Sequence, residues 1–282
     1  MSQAKAPSDR SAVGWARDEP GSQNVVSPEW VAEHAGDEGV RVLDTRSDVM
    51  DYFPGHVPNA VHLSDFSLRG LIARLPVQYH QLAELAGLFG RAGVSDADHV
   101  VVYAEGEQTI GATTALYALE PIGHEQANYM DGGWPAYKAS QAAGQAYPLQ
   151  LSQEGTLTPR NNRGIDVARE EVKTHLEGSK TVIIDSRPSH FYLAPPPHSW
   201  MRNGHIPGAI NIDWHGLMDP GNMALLRPLE QLEAIYSRAG VARAQDIIVT
   251  CGTSREASME CFVLKHVLGF PRVRRYEDSW ME

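Results

Sequence analysis

The sequence predicts an α/β protein with two similar domains, each a mainly parallel sheet with helices on both faces. Three observations lead to this fold class: an internal repeat, short β-branched runs that alternate with amphipathic helical segments, and a length of 282 residues. That length suits two domains of about 140 residues each. Strand runs that are apolar on both faces favour a parallel sheet, which places functional residues at the carboxyl ends of its strands.

The repeat consists of four motifs that recur in the same order in both halves of the chain. DTR at 44–46 returns as DSR at 185–187, HVPNAVHL from His56 as HIPGAINI from His205, RAGV at 91–94 as RAGV at 238–241, and DGGW at 131–134 as EDSW at 277–280. We therefore expect an N-terminal domain over 24–140 and a C-terminal domain over 164–282, joined by a linker over 141–163 and preceded by an extension over 1–23.

The second copy carries an insertion. The offset between the copies grows from 141 residues at DTR to 149 at HVPNAVHL, which leaves eight extra residues in the segment FYLAPPPHSWMRN. Because a proline triplet suits neither a helix interior nor a central strand, the insertion is predicted to be a surface loop.

Apolar spacing and β-branched runs predict the elements around these motifs. Apolar residues at helical spacing precede both RAGV motifs, at Leu82, Leu85 and Leu88 and at Leu229, Leu232 and Ile235. Four short runs, VRVLD, VVVY, TVIID and IIVT, end at polar or turn-forming residues and are predicted strands. A helical stripe at Ala257, Cys261, Leu264 and Leu268 follows the last of these strands.

Composition narrows the class of function. Lys plus Arg number 24 and Asp plus Glu 35, so the net charge of −11 makes nucleic acid and anionic membranes poor partners. No apolar run is long enough for a membrane span, and the first residues do not resemble a secretory signal.

The cysteine and histidine content bears on compartment and cofactors. Two cysteines in the chain are typical of a protein from a reducing compartment, so we expect a cytoplasmic protein. The twelve histidines form no metal-binding pair, and no metal or cofactor is expected.

Cys251 lies where the strand IIVT gives way to the following helix, in the loop CGTSREA. Such a turn can point backbone N–H groups at a thiolate or at a bound anion. Gly252 allows tight curvature, Thr253 and Ser254 supply hydroxyl donors, and Arg255 supplies a positive charge. Cys251 is therefore the candidate nucleophile, and the four residues after it are candidate substrate-binding residues.

The same pattern predicts how the two thiols differ. We expect the pKa of Cys251 to lie below the roughly 8.5 of a free thiol, with the carboxylate of Glu256 directed to solvent. Cys261 lies within an apolar helical stripe, so we expect it to be a structural core residue.

The paired domains, DSR, GHIPGAIN, the cysteine loop after IIVT and the closing YEDSW resemble the tandem-domain rhodanese family of thiosulfate and mercaptopyruvate sulfurtransferases. The resemblance implies two rhodanese-like domains, a catalytic C-terminal domain, and an inactive N-terminal copy with Ala104 opposite Cys251. It implies that the thiolate takes a sulfane sulfur from a small donor, becomes a persulfide, and passes the sulfur to cyanide or another thiophile. A protein acceptor is a further candidate partner.

The loop leaves the donor open. It reads CGTSREA, whereas the family loops read approximately CRKGVTA for thiosulfate and CGSGVTA for mercaptopyruvate. We take thiosulfate as the principal donor. The alternatives are mercaptopyruvate, toward which Gly252 leans, and a persulfide carrier or binding module without enzymatic activity. A cysteine phosphatase would need arginine at position 257, which is alanine here.

Candidate residues also lie outside the cysteine loop. The resemblance implies that Arg187 and Arg202 bind the donor, although Arg187 could instead pair with Asp185. Because both copies contain the H-[IV]-P motif, His56 and His205 are expected to shape the fold. The remaining candidates are assigned structural or solvated positions: Asp44, Arg46, Glu105, Trp134 and Trp280 within the fold, and Arg272, Arg274 and Arg275 at a solvated strand end.

Overall fold

A computed structural model describes residues 24–72, 75–140, 144, 146, 153–160, 164–176, 180–193 and 203–282, with the backbone alone for 71, 72 and 75–77. Within these ranges the chain forms two five-stranded parallel sheets surrounded by helices. The predicted fold class is therefore confirmed. The predicted N-terminal extension, most of the predicted linker, most of the insertion and Arg202 lie outside the described residues.

The N-terminal sheet has the strand order β1-β7-β6-β2-β3 and is parallel throughout. Its elements are β1 (Val25–Val26), α1 (Pro28–His34), β2 (Val40–Asp44), α2 (Val49–Tyr52), β3 (Val61–His62), β4 (Arg69–Ile72), β5 (Leu75–Tyr79), α3 (Leu82–Arg91), β6 (His99–Tyr103), α4 (Thr109–Ile122), β7 (Ala127–Met130) and α5 (Gly133–Ala139). Strands β4 and β5 form a separate antiparallel hairpin. The predicted helix before RAGV is α3, and the runs VRVLD and VVVY are β2 and β6.

The C-terminal sheet repeats this arrangement in the order β8-β14-β13-β9-β10. Its elements are β8 (Asp166–Val167), α6 (Arg169–Leu176), β9 (Val182–Asp185), α7 (Ser189–Leu193), β10 (Ile210–Asn211), β11 (Met218–Asp219), β12 (Asn222–Leu226), α8 (Leu229–Arg238), β13 (Ile247–Thr250), α9 (Arg255–Cys261) and β14 (Val273–Tyr276). Strands β11 and β12 form the second hairpin. Helix α9 continues as a π-helical segment over Phe262–Val267.

The largest apolar core cluster contains residues of both copies, and α4 packs against α9 within it. Beside this helix pair, the ring centroids of Tyr129 on β7 and Phe262 in the π-helical segment lie 5.6 Å apart. The hydroxyl groups of Thr113 and Ser258 form a buried hydrogen bond of 2.8 Å between the two helices. Because α9 begins directly after the cysteine loop, the same packing holds that loop against the N-terminal domain.

The repeated motifs form matching contacts in the two copies. Arg187 binds Asp185 as Arg46 binds Asp44, and both ion pairs are buried at the end of a central strand. His56 stacks on Tyr52 with ring centroids 3.7 Å apart, and its Nδ1 lies 3.0 Å from the Tyr52 carbonyl. A stack of His205 on Tyr192 repeats this contact at 3.8 Å. The structure therefore supports the structural interpretation of both histidines.

The interpretation of the arginine cluster as a solvated strand end is wrong for Arg275. This side chain is 1% exposed and its Nε lies 2.9 Å from Asp166. The guanidinium stacks on the rings of Tyr117 and Tyr79, 3.8 and 4.6 Å from their centroids. A charged side chain can be buried in this way because aromatic faces and a carboxylate replace the water that it loses.

The buried Asp44 is expected to contribute much more to stability than an exposed acidic residue. It accepts hydrogen bonds from Arg46 and from the hydroxyl of Tyr103, and its side chain is fully buried. Replacement Asp44→Ala would leave the Arg46 guanidinium buried with only the partly exposed Glu105 as a charged partner, so we expect a loss of about 3–5 kcal/mol in the free energy of unfolding, measured by chemical denaturation.

The matched control is Asp37→Ala, which removes an exposed contact with His34. The expected loss there is below about 1 kcal/mol. Equal losses in the two variants would contradict the assignment of Asp44 as the anchor of this motif.

Candidate active site

Cys251 lies directly after β13, the central strand of the C-terminal sheet. Thr250 pairs in register with Asp185 on β9, and the Ser186 N–H donates to the Thr250 carbonyl at 2.8 Å. The Trp280 N–H donates to the Cys251 carbonyl at 3.1 Å, so the closing tryptophan motif fixes the loop. The thiol itself is fully buried. Strand, loop and helix thus hold the predicted nucleophile at the predicted edge of the sheet.

The loop forms the expected cradle of N–H groups around the sulfur. The backbone N–H groups of Thr253 and Ala257 donate toward the thiol and favour its anion. Ser254 adopts a left-handed conformation, with φ of 69°, at the position where the family loops carry glycine. That conformation costs about 1 kcal/mol for a residue with a side chain. The buried hydroxyls of Ser254 and Thr250 have no hydrogen-bond partner in the described part of the chain, so both are available to a bound anion.

The expectation of a lowered pKa for Cys251 is wrong for this structure. Burial raises the pKa of the thiol well above its ordinary value, and the Glu256 carboxylate raises it further, while the two N–H groups act in the opposite direction. Glu256 is only partly exposed, and its Oε2 is buried rather than directed to solvent. The error arose because adjacency in sequence did not reveal which way this side chain turns.

Cys261 occupies the core position that was predicted for it. Its side chain is 2% exposed and packs in the apolar cluster of α9. Burial raises the pKa of this thiol as well. Both cysteines are free, so the structure contains no bond between them.

The N-terminal domain contributes side chains to the cysteine loop. Arg255 forms an ion pair of 2.7 Å with Asp65, and its guanidinium lies 4.7 Å from the ring centroid of Phe66. A weaker contact of 3.5 Å joins Arg255 to the Ser47 hydroxyl. The positive charge predicted beside the cysteine is present, but a carboxylate of the other domain already balances it.

Sequence reasoning missed Arg69. This side chain, at the start of β4, is 6% exposed and donates from Nη2 to the carbonyl of Thr253 in the cysteine loop. A usable signal was present in the repeat, because the offset of 149 places Arg69 opposite Met218. A charged residue in one copy at a position where the other copy has an apolar methionine indicates that the first copy uses the charge at that position.

The other two predicted donor-binding arginines are not brought to the thiol by any described contact. Arg187 donates from Nη2 to Asp185 at 2.6 Å and to the Gly204 carbonyl at 2.9 Å, and it lies over the ring of Trp280. Arg202 lies outside the described residues. Donor binding by both residues therefore stays a prediction.

The N-terminal copy retains the frame of the site without its thiol. Ala104 follows β6, and its carbonyl accepts from the Trp134 N–H at 2.9 Å, as the Cys251 carbonyl accepts from Trp280. The adjacent Glu105 pairs with Arg46 at 3.0 Å.

Among the described residues, no three His, Cys, Asp or Glu side chains are grouped to hold a metal ion. The described helices are all too short or too polar to cross a membrane.

Fold and site together define a tandem α/β protein with one cysteine loop and one copy that lacks the thiol. The model of the rhodanese-like domain matches the chain twice, at residues 27–140 and 168–282, and the chain belongs to this family. The predicted family is thereby confirmed.

Known relatives align with nearly the whole chain. The putative thiosulfate sulfurtransferase of Synechococcus elongatus is 40% identical over 91% of this chain and 81% of that protein. Sulfur carrier protein TtuD of Thermus thermophilus is 29% identical and covers 92% of each chain. The crystal structure of the 3-mercaptopyruvate sulfotransferase SseA from Escherichia coli superposes with a TM-score of 0.81 at 28% identity, over 92% of this chain and 99% of that one.

Alkylation should reveal the raised pKa of Cys251. In a Cys261→Ser background, the rate of iodoacetamide reaction should rise with pH and reach its midpoint above the roughly 8.5 of a free thiol, because only the thiolate reacts. Replacement Glu256→Gln removes one negative charge beside the sulfur, so its midpoint should be lower than that of the parent. A midpoint below pH 8.5 in the parent would show that the N–H cradle outweighs burial.

Proposed function

We propose that the protein is a sulfurtransferase that moves a sulfane sulfur from thiosulfate to cyanide or another thiophile through a persulfide on Cys251. The observation that carries this proposal is the position of the thiol at the end of β13, with two backbone N–H groups directed at the sulfur. Such donors stabilise a negative charge on sulfur without further rearrangement. The names of relatives with 28–40% identity support the same class of reaction.

The reaction consists of two displacements at sulfur. The Cys251 thiolate attacks the outer sulfur of thiosulfate, the S–S bond of the donor breaks, and sulfite leaves with the electron pair. The persulfide so formed carries one negative charge. Cyanide then attacks the terminal sulfur, an S–C bond forms, and thiocyanate leaves while the electron pair returns to Cys251. The same N–H groups serve thiolate and persulfide, because both are anions centred on sulfur in one loop.

The raised pKa of Cys251 gives the first displacement a pH dependence. The resting thiol is protonated near neutral pH and must lose its proton before attack. The fraction of thiolate grows as the pH rises toward the pKa, so sulfur loading should accelerate from neutral to alkaline pH. A bound cation next to the sulfur would lower this pKa.

The remaining loop residues are assigned to the donor. Gly252 allows the curvature of the loop, and the Thr253 N–H together with the unpaired Ser254 hydroxyl can bind donor oxygens. Positive charge for binding the anionic donor is proposed to come from Arg255, Arg187 and Arg202. Because Arg255 already pairs with Asp65, the donor must either bind Arg255 together with this carboxylate or displace the carboxylate.

Mercaptopyruvate is the alternative donor. The similarity to the Escherichia coli SseA structure favours it, as does Gly252 in the loop, whereas the relative with 40% identity is named for thiosulfate. Parallel measurements of kcat/KM with thiosulfate and mercaptopyruvate, with cyanide as the common acceptor, distinguish the two.

A carrier role is a second candidate, favoured by the similarity to TtuD. A carrier would form the same persulfide but deliver it to a protein thiol or thiocarboxylate rather than to a free thiophile. Slow turnover with cyanide together with rapid loading of sulfur onto Cys251 would favour this role.

We also propose a cytoplasmic location, because two free thiols are typical of a protein from a reducing compartment.

Replacement of each cysteine tests the central proposal. Cys251→Ser should abolish formation of thiocyanate, because serine cannot hold a transferable sulfur. Cys261→Ser should retain most of the activity, since that thiol packs in the apolar core at the end of α9 rather than in the cysteine loop. The measurement is a cyanide assay, combined with mass spectrometry of the intact protein after incubation with donor.

The mass spectrum should show one added sulfur atom in the parent and in Cys261→Ser, located on the peptide that contains Cys251. Thiocyanate formation by a folded Cys251→Ser variant would contradict the proposal. Loss of activity in a folded Cys261→Ser variant would contradict the structural assignment of Cys261.

A further inference from the structure

One arginine differs from the other buried arginines in its electrostatic environment. Four arginine side chains are at least nine-tenths buried in the described ranges, namely Arg46, Arg69, Arg187 and Arg275. Three of them have a carboxylate at 2.5–2.9 Å, in the pairs Arg46 with Asp44, Arg187 with Asp185 and Arg275 with Asp166. Arg69 forms no ion pair with any described residue. A buried guanidinium without a counter-ion is costly, so its presence needs a reason.

The contacts of Arg69 leave most of its hydrogen-bonding capacity unused. Nη2 donates to the carbonyl of Thr253, which anchors the guanidinium on the cysteine loop. The guanidinium carbon lies 5.4 Å from the ring centroid of Tyr79. Nε and Nη1 are buried and have no hydrogen-bond partner among the described residues. Two sets of N–H donors therefore lie beside the nucleophilic loop without an acceptor.

The electrostatic surroundings of Arg69 favour a negative charge beside its guanidinium. Burial lowers the pKa of Arg69, and the neighbouring charges of Arg275 and Arg255 lower it further, while Tyr79 and Cys251 act in the opposite direction. A negative charge on the Cys251 sulfur therefore favours the Arg69 cation, which is anchored on the same loop through the Thr253 carbonyl. The thiol in its protonated form provides no such charge.

We infer that Arg69, a residue of the copy without the thiol, binds the anion that forms or arrives at Cys251. This inference rests on the proposed function and adds to it a binding residue from the other domain. The anion that Arg69 binds is a negatively charged sulfur or oxygen atom that accepts hydrogen bonds from Nε and Nη1. Two groups could supply this atom: the oxyanion of the incoming donor and the terminal sulfur of the persulfide.

The C-terminal copy shows that the fold does not require a positive charge at the position of Arg69. Met218 stands at the equivalent position, at the start of the equivalent hairpin, and is fully buried. Replacement Arg69→Met therefore places a residue that this fold already accepts there. A structural arginine would lower stability when removed, whereas an anion-binding arginine without a partner would not.

The first measurement is the thermal midpoint of the resting protein without donor. Arg69→Met should equal or exceed the parent, because an uncompensated buried charge is removed. The matched control is Arg46→Met, which leaves Asp44 without its arginine and should melt at a lower temperature. A drop for Arg69→Met as large as that of the control would overturn the inference.

Two further measurements distinguish the sources of the anion. Thiosulfate binding to Cys251→Ala, measured by calorimetry, reports the donor, and Arg69→Met in that background should raise the Kd by about tenfold or more. The rise in thermal midpoint when the active protein is converted to its persulfide reports the terminal sulfur, and Arg69→Met should reduce that rise. Arg69→Lys should restore part of each effect, because it keeps the charge and loses the planar donors.

The outcomes separate this inference from the proposed function. If the parent forms a persulfide and neither measurement responds to Arg69→Met, the inference is wrong while the sulfurtransferase assignment stands. If no persulfide forms on Cys251, the proposed function fails, and thiosulfate binding to Cys251→Ala still decides whether Arg69 binds an anion. A response in only one measurement assigns Arg69 to that source.

Discussion

The packing of α4 against α9 is the contact on which the site depends. Helix α9 follows the cysteine loop directly, so the surface that buries its apolar face also sets the position of Cys251 relative to the N-terminal domain. The buried hydrogen bond between Thr113 and Ser258 fixes the relative position of the two helices at this contact. Asp65 and Arg69 of the N-terminal domain contact the loop on the same side of the molecule. The copy without a thiol therefore contributes side chains to the surroundings of Cys251.

The architecture could be predicted from sequence because it depends on periodic patterns. Helices α3 and α8 follow leucine spacing, and the four β-branched runs became the central strands of the two sheets. Cys251 was found by the same means, since the end of a parallel strand is a position that sequence can locate. The motif around His56 occurs in a copy without a thiol, which favoured a structural interpretation, and its stack on Tyr52 agrees with that interpretation.

The charges within the site could not be predicted in this way. The direction taken by the Glu256 carboxylate depends on a rotamer, and the pairing of Arg255 with Asp65 depends on how two distant segments meet. The burial of Arg275 required two tyrosines from the other domain. Arg69 was missed because the comparison of the copies concentrated on residues that they share. The difference between Arg69 and the buried Met218 became visible only when unlike positions of the copies were compared.

The apolar core cluster that spans both copies has a consequence for how the molecule folds and how it can be divided. Its members come from both copies, and Tyr129 of the N-terminal copy contacts Phe262 of the C-terminal copy. Neither half can expose this surface to water without losing a large part of its hydrophobic stabilisation. We therefore expect the duplicated sequence to behave as one cooperative unit that melts in a single transition. A chain cut between the two copies should remain associated as a complex of its halves, and the C-terminal half alone should aggregate.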